Sequence, residues 1–202
     1  MANTSAEKVE CFSRKKREDR MENIYYHVIS DIPKKAGEHI LLDEDHPNGV
    51  HKRVYEQMET VEDIYRNPDK YKDTELSHAV DVALRELALE KVRKEKYPQY
   101  PSRLASLYVS KTVEEAARWG EYFAKLGRPT YGIAKIRVSG NTFEGDAYKC
   151  FDGVISEEEN LRMAEIYWQN GANEDGRDPI VEILADGDIE ILEIVKEINA
   201  NI

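Results

Sequence analysis

Several features that define common protein classes are scarce in this sequence. Its 202 residues contain two cysteines, Cys11 and Cys150, which excludes a disulfide-rich scaffold and favours two free thiols over one bridge. The five histidines form no HxxH or HExxH pair, so no zinc site can be read from their spacing. No apolar run is long enough to span a bilayer or to serve as a secretory signal. We therefore predict a soluble, cytoplasmic protein without a metal.

Nucleotide-binding signatures and excess positive charge are also missing. The sequence has no Walker loop, GxGxxG, GxSxG or kinase-type set, so any dinucleotide would not bind as in the doubly wound fold. Its 29 Lys and Arg residues are outnumbered by 40 Asp and Glu residues, giving a formal net charge of -11. Nucleic acids and anionic membranes both attract Lys and Arg. Neither is expected to be the main partner.

What is present is enough apolar sequence for one core, since 41% of the residues are hydrophobic. Residues 1–21 are polar and are predicted to form an arm. Residues 22–202 are predicted to form a single domain with a helical insert at about 54–95. The first strand is expected over residues 24–29, where β-branched and aromatic residues cluster and His27 shares a face with Ile29.

The other elements follow from hydrophobic period, capping residues and turn residues. In chain order we predict a loop over 31–53, helices over 54–65 and 75–94, strands over 104–110, 131–138 and 142–150, and strands over 180–185 and 189–195. Two further helices are expected after the capping boxes Thr112/Glu115 and Ser156/Glu159. The dipeptide at 186–187, Asp-Gly, suits a tight hairpin between the last two strands. Strands mixed with helices in this order indicate the α+β class.

An ordered set of short motifs resembles the ADP-ribosyltransferase superfamily, most closely the small bacterial branch that includes the rifampin ADP-ribosyltransferases. The matches are Tyr26-His27 in the first strand, residues 107–110 (Leu-Tyr-Val-Ser), residues 116–120 (Ala-Ala-Arg-Trp-Gly), residues 143–146 (Phe-Glu-Gly-Asp), and a late strand after Pro179. They cover roughly residues 24–30 and 104–195. The resemblance implies a split antiparallel sheet core with flanking helices, and NAD as the substrate.

The resemblance also implies roles for individual residues. His27 would bond a ribose hydroxyl of NAD, and Tyr108 would stack on the nicotinamide. Ser106 is placed with the cofactor-binding residues, and Arg103 could grip the pyrophosphate through its bidentate fork. The carboxylate that serves the sugar cation is either Asp146, in the Phe-Glu-x-Asp segment, or Glu182, on the late strand.

Three functions remain open on the sequence. The first is an ADP-ribosyltransferase that moves ADP-ribose from NAD to an unidentified small molecule or protein, or to water as an NAD glycohydrolase. The second is a catalytically degenerate module that binds a nucleotide or a protein partner. The third is a structural protein whose apolar stripe over residues 76–87 packs between subunits of a homo-oligomer such as a homodimer.

Overall fold

The computed structural model describes residues 23–198, so the predicted arm and Cys11 lie outside the described part. These residues form a mixed α+β structure with two antiparallel sheets and five α-helices. The strands are β1 (Asn23–Ser30), β2 (His39–Leu42), β3 (Leu107–Val109), β4 (Thr130–Ser139), β5 (Thr142–Asp146), β6 (Val181–Ala185) and β7 (Gly187–Glu197). The helices are α1 (Gly49–Tyr55), α2 (Met58–Arg66), α3 (His78–Lys96), α4 (Val113–Lys125) and α5 (Glu157–Gln169).

The two sheets pack face to face. Sheet A has the strand order β1-β4-β7-β2, and sheet B has the order β3-β6-β5. Alternate residues of each strand point to the same face, and those facing the other sheet form one apolar cluster. Its buried members are Ile29, Leu42, Val109, Ala134, Ile136, Val138, Ile183, Ala185, Ile189 and Ile191.

Helices cover the outer faces of both sheets. On sheet A, Val28 and Ile133 pack against Ala116 of α4. On sheet B, Leu184 packs with residues of α3 and α5, including Leu89 and Trp168. Helices α1 and α2 pack on α3 in a separate apolar cluster. Among the described residues, no helix combines the length and the apolarity needed to cross a bilayer.

Side-chain caps account for where the long helices begin. Ser77 caps α3, with its hydroxyl accepting from the backbone N–H of Val80. At α4 the predicted capping box is present in full, since Thr112 and Glu115 each satisfy the other's backbone N–H. At α5 only the serine half forms, because the carboxylate of Glu159 bonds Arg162 instead.

The predicted hairpin between the last two strands is wrong. Strand β6 pairs with β3 and β5, whereas β7 pairs with β4 and β2, so the chain changes sheets at Gly187. Gly187 has a φ of 84°, which permits the sharp turn. Strand β6 lies at the centre of its sheet and is buried on both faces, with Ile183 and Ala185 against sheet A and Leu184 against α3 and α5. Glu182 is the one charged residue of this strand.

Three local predictions also need correction. The predicted loop over 31–53 contains the edge strand β2 and the start of α1, whose first turn is capped by Asn48. The single helix expected over 54–65 is two helices, α1 and α2. The extended segment expected over 142–150 ends at Asp146, whose carboxylate accepts from the backbone N–H of Tyr148 and begins a 3-10 turn.

Candidate functional site

A cavity of about 730 Å³ opens beside the place where the two sheets meet. Its walls come from β1 of sheet A, from β3 and β6 of sheet B, and from α1 and α4. Four predicted site residues line it: His27, Ser106, Tyr108 and Glu182. These residues are up to 155 positions apart in the chain, as 182 minus 27 shows, and the fold brings them to one surface.

One pair of backbone hydrogen bonds joins the sheets at this cavity. Tyr26 of β1 and Ser110, just after β3, exchange N–H to O bonds of 2.8 Å each. Beside that pair, Nδ1 of His27 lies 2.9 Å from the carbonyl oxygen of Tyr108. A carbonyl oxygen can only accept, so Nδ1 donates and carries the ring proton.

His27 therefore presents a hydrogen-bond acceptor. Burial lowers its pKa to about 4, more than the bond to the Tyr108 carbonyl raises it, while the cations Arg128 and Lys34 lower it further. The imidazole is neutral at pH 7. With the proton on Nδ1, the Nε2 lone pair is left to accept from a ligand hydroxyl.

Tyr108 presents its ring to the same space. The residue is 36% exposed and lines the cavity, and its carbonyl holds His27. Desolvation raises the pKa of its hydroxyl well above the ordinary value, although the nearby Arg103 cation acts in the opposite direction. The phenol is therefore neutral at pH 7. The Arg103 guanidinium lies 5.5 Å from the centre of the ring, which is a cation–π distance.

Glu182 brings a carboxylate with one oxygen held and one oxygen free. Its Oε1 accepts two hydrogen bonds of 2.7 Å, from Nη1 of Arg103 and from the hydroxyl of Tyr167. Among the described residues no hydrogen bond reaches Oε2, and no buried side-chain oxygen there lacks a partner. Oε2 is therefore solvent-accessible, and Glu182 lines the cavity.

Arg103 does not line the cavity but lies behind it, 5% exposed. Its Nε and Nη2 donate to the two oxygens of Glu86 at 2.9 and 3.3 Å, and Nη1 donates to Glu182 and Tyr167. These contacts occupy all three guanidinium nitrogens. The structure thus places Arg103 outside the cavity lining, where it holds the carboxylate of Glu182.

Glu86, on α3, is the counter-ion of the Arg103 guanidinium. Burial disfavours its charge, but Arg103 and Arg85 outweigh that effect and lower its pKa. Glu86 was not predicted as a functional residue. Helical periodicity could have drawn attention to it, since it lies three residues from both Ala83 and Leu89, which are fully buried.

The other candidate acid, Asp146, is not among the cavity-lining residues. Its Oδ1 accepts from the backbone N–H groups of Tyr148 and Ile180 at 3.0 Å, and its Oδ2 accepts from Asn173 at 2.8 Å. With both oxygens bonded in this way, the buried carboxylate of Asp146 stabilises the turn that follows β5. The geometry favours Glu182 over Asp146 as the acid of the cavity.

Three cations that were not predicted as part of the site line the cavity. They are Lys34, Arg53 and Arg128, and Arg128 pairs with Asp31, which also lines the cavity. Arg128 also lies 4.6 Å from the ring centre of Phe123, which lines the cavity together with Trp119. Cations and aromatic rings are the groups that bind phosphates and flat heterocycles.

A metal is not needed to describe this site. Within residues 23–198, no group of three or more His, Cys, Asp or Glu side chains has an arrangement that could hold a metal ion. The cavity offers a neutral imidazole, a phenol, the two carboxylates of Glu182 and Asp31, and three cations, of which Arg128 pairs with Asp31. Those groups suit an organic anion with hydroxyls and an aromatic ring.

Comparison with known protein families gives a match over most of the chain. The model of the family described as "Protein of unknown function (DUF2441)" matches residues 25–197. This span includes every cavity residue named above. No curated protein matches the chain. The family description states no activity, so the function has to be argued from the cavity.

Proposed function

Because the chain belongs to the DUF2441 family, whose function is unknown, we propose from its site that it is an NAD-dependent enzyme of the ADP-ribosyltransferase type. It would transfer ADP-ribose from NAD to an acceptor or to water. One observation carries the proposal: His27, Tyr108 and Glu182 line a single cavity. The finer fold assignment, an ADP-ribosyltransferase-like split sheet, is part of the same proposal.

The chemistry of the cavity suits cleavage of the nicotinamide–ribose bond. When that bond breaks, its electron pair leaves with nicotinamide and the ribose carbon becomes cationic, as in glycoside hydrolysis. The free Oε2 of Glu182 supplies negative charge where such a cation would form. The acceptor or water then bonds that carbon and releases its proton to the solvent.

The remaining groups match the rest of the substrate. Nε2 of neutral His27 can accept from a ribose hydroxyl, and the ring of Tyr108 offers a stacking surface for nicotinamide. The cations Lys34, Arg53 and Arg128 suit the pyrophosphate. Arg103, for which a pyrophosphate-binding role was predicted from its bidentate fork, supports Glu182 in this proposal.

The proposal is tested by incubating the protein with NAD labelled in the nicotinamide ring. We expect the natural chain to release nicotinamide. In Glu182→Gln the rate of release should fall on the order of 10²–10³-fold, because the variant lacks one group that stabilises transition-state charge. His27→Ala and Tyr108→Ala should also reduce release. The matched control is Asp146→Asn, which alters a carboxylate outside the cavity.

Three results would contradict the proposal or its choice of acid. No release and no binding of NAD by calorimetry would remove NAD as the ligand. Binding without release would identify the degenerate, nucleotide-binding alternative. A loss in Asp146→Asn as large as that in Glu182→Gln, at equal folding stability, would reverse the assignment of the acid.

A further inference from the structure

The carboxylate of Glu182 is oriented by a buried ion-pair chain that reaches from the cavity to helix α3. In order, Glu182 bonds Arg103, Arg103 bonds Glu86, and Glu86 bonds Arg85 at 3.1 Å. At the cavity end of this chain, the hydroxyl of Tyr167, on α5, donates to Oε1 of Glu182, the same oxygen that Arg103 holds. Burial raises the pKa of Tyr167, so the hydroxyl keeps its proton and remains a donor.

We infer that Glu86 is a positioning residue: it fixes Arg103, and Arg103 in turn holds Oε1 of Glu182 so that Oε2 stays open to the cavity. This inference rests on the proposed function. Glu86 is 2% exposed and does not line the cavity, so it cannot touch a ligand. It acts only through Arg103.

The geometry of the Glu86–Arg103 contact fixes the guanidinium plane. Both oxygens of Glu86 receive bonds from the guanidinium, through Nε and Nη2. A two-point contact of this kind sets orientation as well as distance. The remaining nitrogen, Nη1, is thereby aimed at Glu182, and the guanidinium lies beside the ring of Tyr108. One arginine thus contacts two of the three side chains on which the proposed function depends.

Charge balance gives Glu86 a second effect on the site. The two arginines Arg85 and Arg103 are matched by the two carboxylates Glu86 and Glu182, so the group as a whole is neutral. Without the charge of Glu86, Arg103 would face Glu182 as an excess cation. The carboxylate would then be drawn towards Arg103, and the field at Oε2 that favours a sugar cation would weaken.

Helix α3 provides a matched control one turn further on. Glu90 receives Nε and Nη2 of Arg93 at 3.0 and 2.8 Å, which repeats the two-point contact made by Glu86. Glu90 is also largely buried, but neither it nor Arg93 lines the cavity. The substitutions Glu86→Gln and Glu90→Gln each remove one buried paired charge from the same helix.

The test measures nicotinamide release and folding stability in the full chain for both variants. We expect Glu86→Gln to lower kcat on the order of 10²-fold, the loss that follows when a remote change displaces a reacting group by about 1 Å. Its KM, and its Kd for NAD by calorimetry, should stay within about twofold of the natural chain. Glu90→Gln should keep kcat within about twofold, although both variants lose stability.

A second pair of variants separates positioning from a general structural role. In the Glu182→Gln background, adding Glu86→Gln should cost no further kcat, because the residue through which it acts is already disabled. A structural role would cost the same in both backgrounds. That result, or equal kcat losses in Glu86→Gln and Glu90→Gln, overturns the inference. Failure of the natural chain to release nicotinamide would be a different outcome, since it overturns the proposed function itself.

Discussion

Replacing Arg103 by methionine tests whether the ion-pair chain stabilises the fold. Methionine fills similar space without charge or donors. The change removes the partner of two buried carboxylates, Glu86 and Glu182, and one bond to Tyr167. Breaking a buried pair by deleting one partner typically costs about 3–5 kcal/mol, because a charge stays buried without compensation. We expect a loss of that size in the free energy of unfolding at pH 7.

The same variant should show a changed dependence on pH. In the natural chain the pKa of Glu86 is lowered, so its contribution to stability is present above the unfolded pKa, about 4.3, and is lost as pH falls through the lower folded value. In Arg103→Met the buried carboxylate of Glu86 can protonate as the pH falls, and this relieves its uncompensated charge. The difference in unfolding free energy between the natural chain and Arg103→Met should therefore shrink as the pH falls towards 4.

Urea unfolding followed by tryptophan fluorescence measures both effects, since Trp168 is fully buried. The matched control is Arg93→Met. Arg93 pairs with Glu44, whose side chain is 74% exposed, and with Glu90, so water can replace part of what is lost. We expect a smaller loss there than in Arg103→Met. A loss below about 1 kcal/mol in Arg103→Met, or one that does not vary between pH 7 and 4.5, would refute the reasoning.

Three further predictions concern other parts of the chain. His27 has a pKa of about 4 in the folded protein, below its ordinary 6.5, so its contribution to stability is lost as pH falls between these values. His27→Gln should therefore weaken the fall in unfolding free energy between pH 7 and 5 by about 2 kcal/mol, and an unchanged difference would contradict this. Gly187→Ala should lower the melting temperature, because an added Cβ would meet the carbonyl oxygen of Ser139 at a positive φ, whereas Gly49→Ala, with open space around it, should not. Thr112→Ala should cost about 1 kcal/mol in chemical unfolding by removing the capping box of α4, and a cost near zero would show that the cap is not needed.

The elements that sequence patterns predicted well are those with strong local signals. The alternation over residues 131–138 gave β4, and the Thr112 capping box gave the start of α4. Strand β2 was missed because it has only four residues and exists through pairing with β7 at the sheet edge. The hairpin at residues 186–187 failed for a related reason. A turn dipeptide shows that the chain reverses, but not which sheet the next strand joins.

The residues of the site also divide into those that sequence motifs identified and those that they did not. The ordered motifs named His27, Tyr108 and Glu182, and these three residues do line one cavity, although their roles remain a proposal. The supports of Glu182 were not predicted, because they depend on how α3 and α5 pack behind sheet B. The sequence alone does not show whether Arg103 faces a ligand or a buried glutamate, because that depends on contacts with residues far away in the chain.

The two sheets are fastened to each other at two separate places. One is the backbone pair of Tyr26 and Ser110. The other is where the chain passes from sheet A to sheet B between β4 and β5 and returns between β6 and β7. There the backbone N–H of Asn141 donates to Asp186 Oδ1 at 2.7 Å, and the backbone N–H of Asp186 donates to the carbonyl oxygen of Asn141 at 3.1 Å. His27 belongs to one sheet, whereas Tyr108 and Glu182 belong to the other. The spacing between these groups is therefore set by how the two sheets are joined.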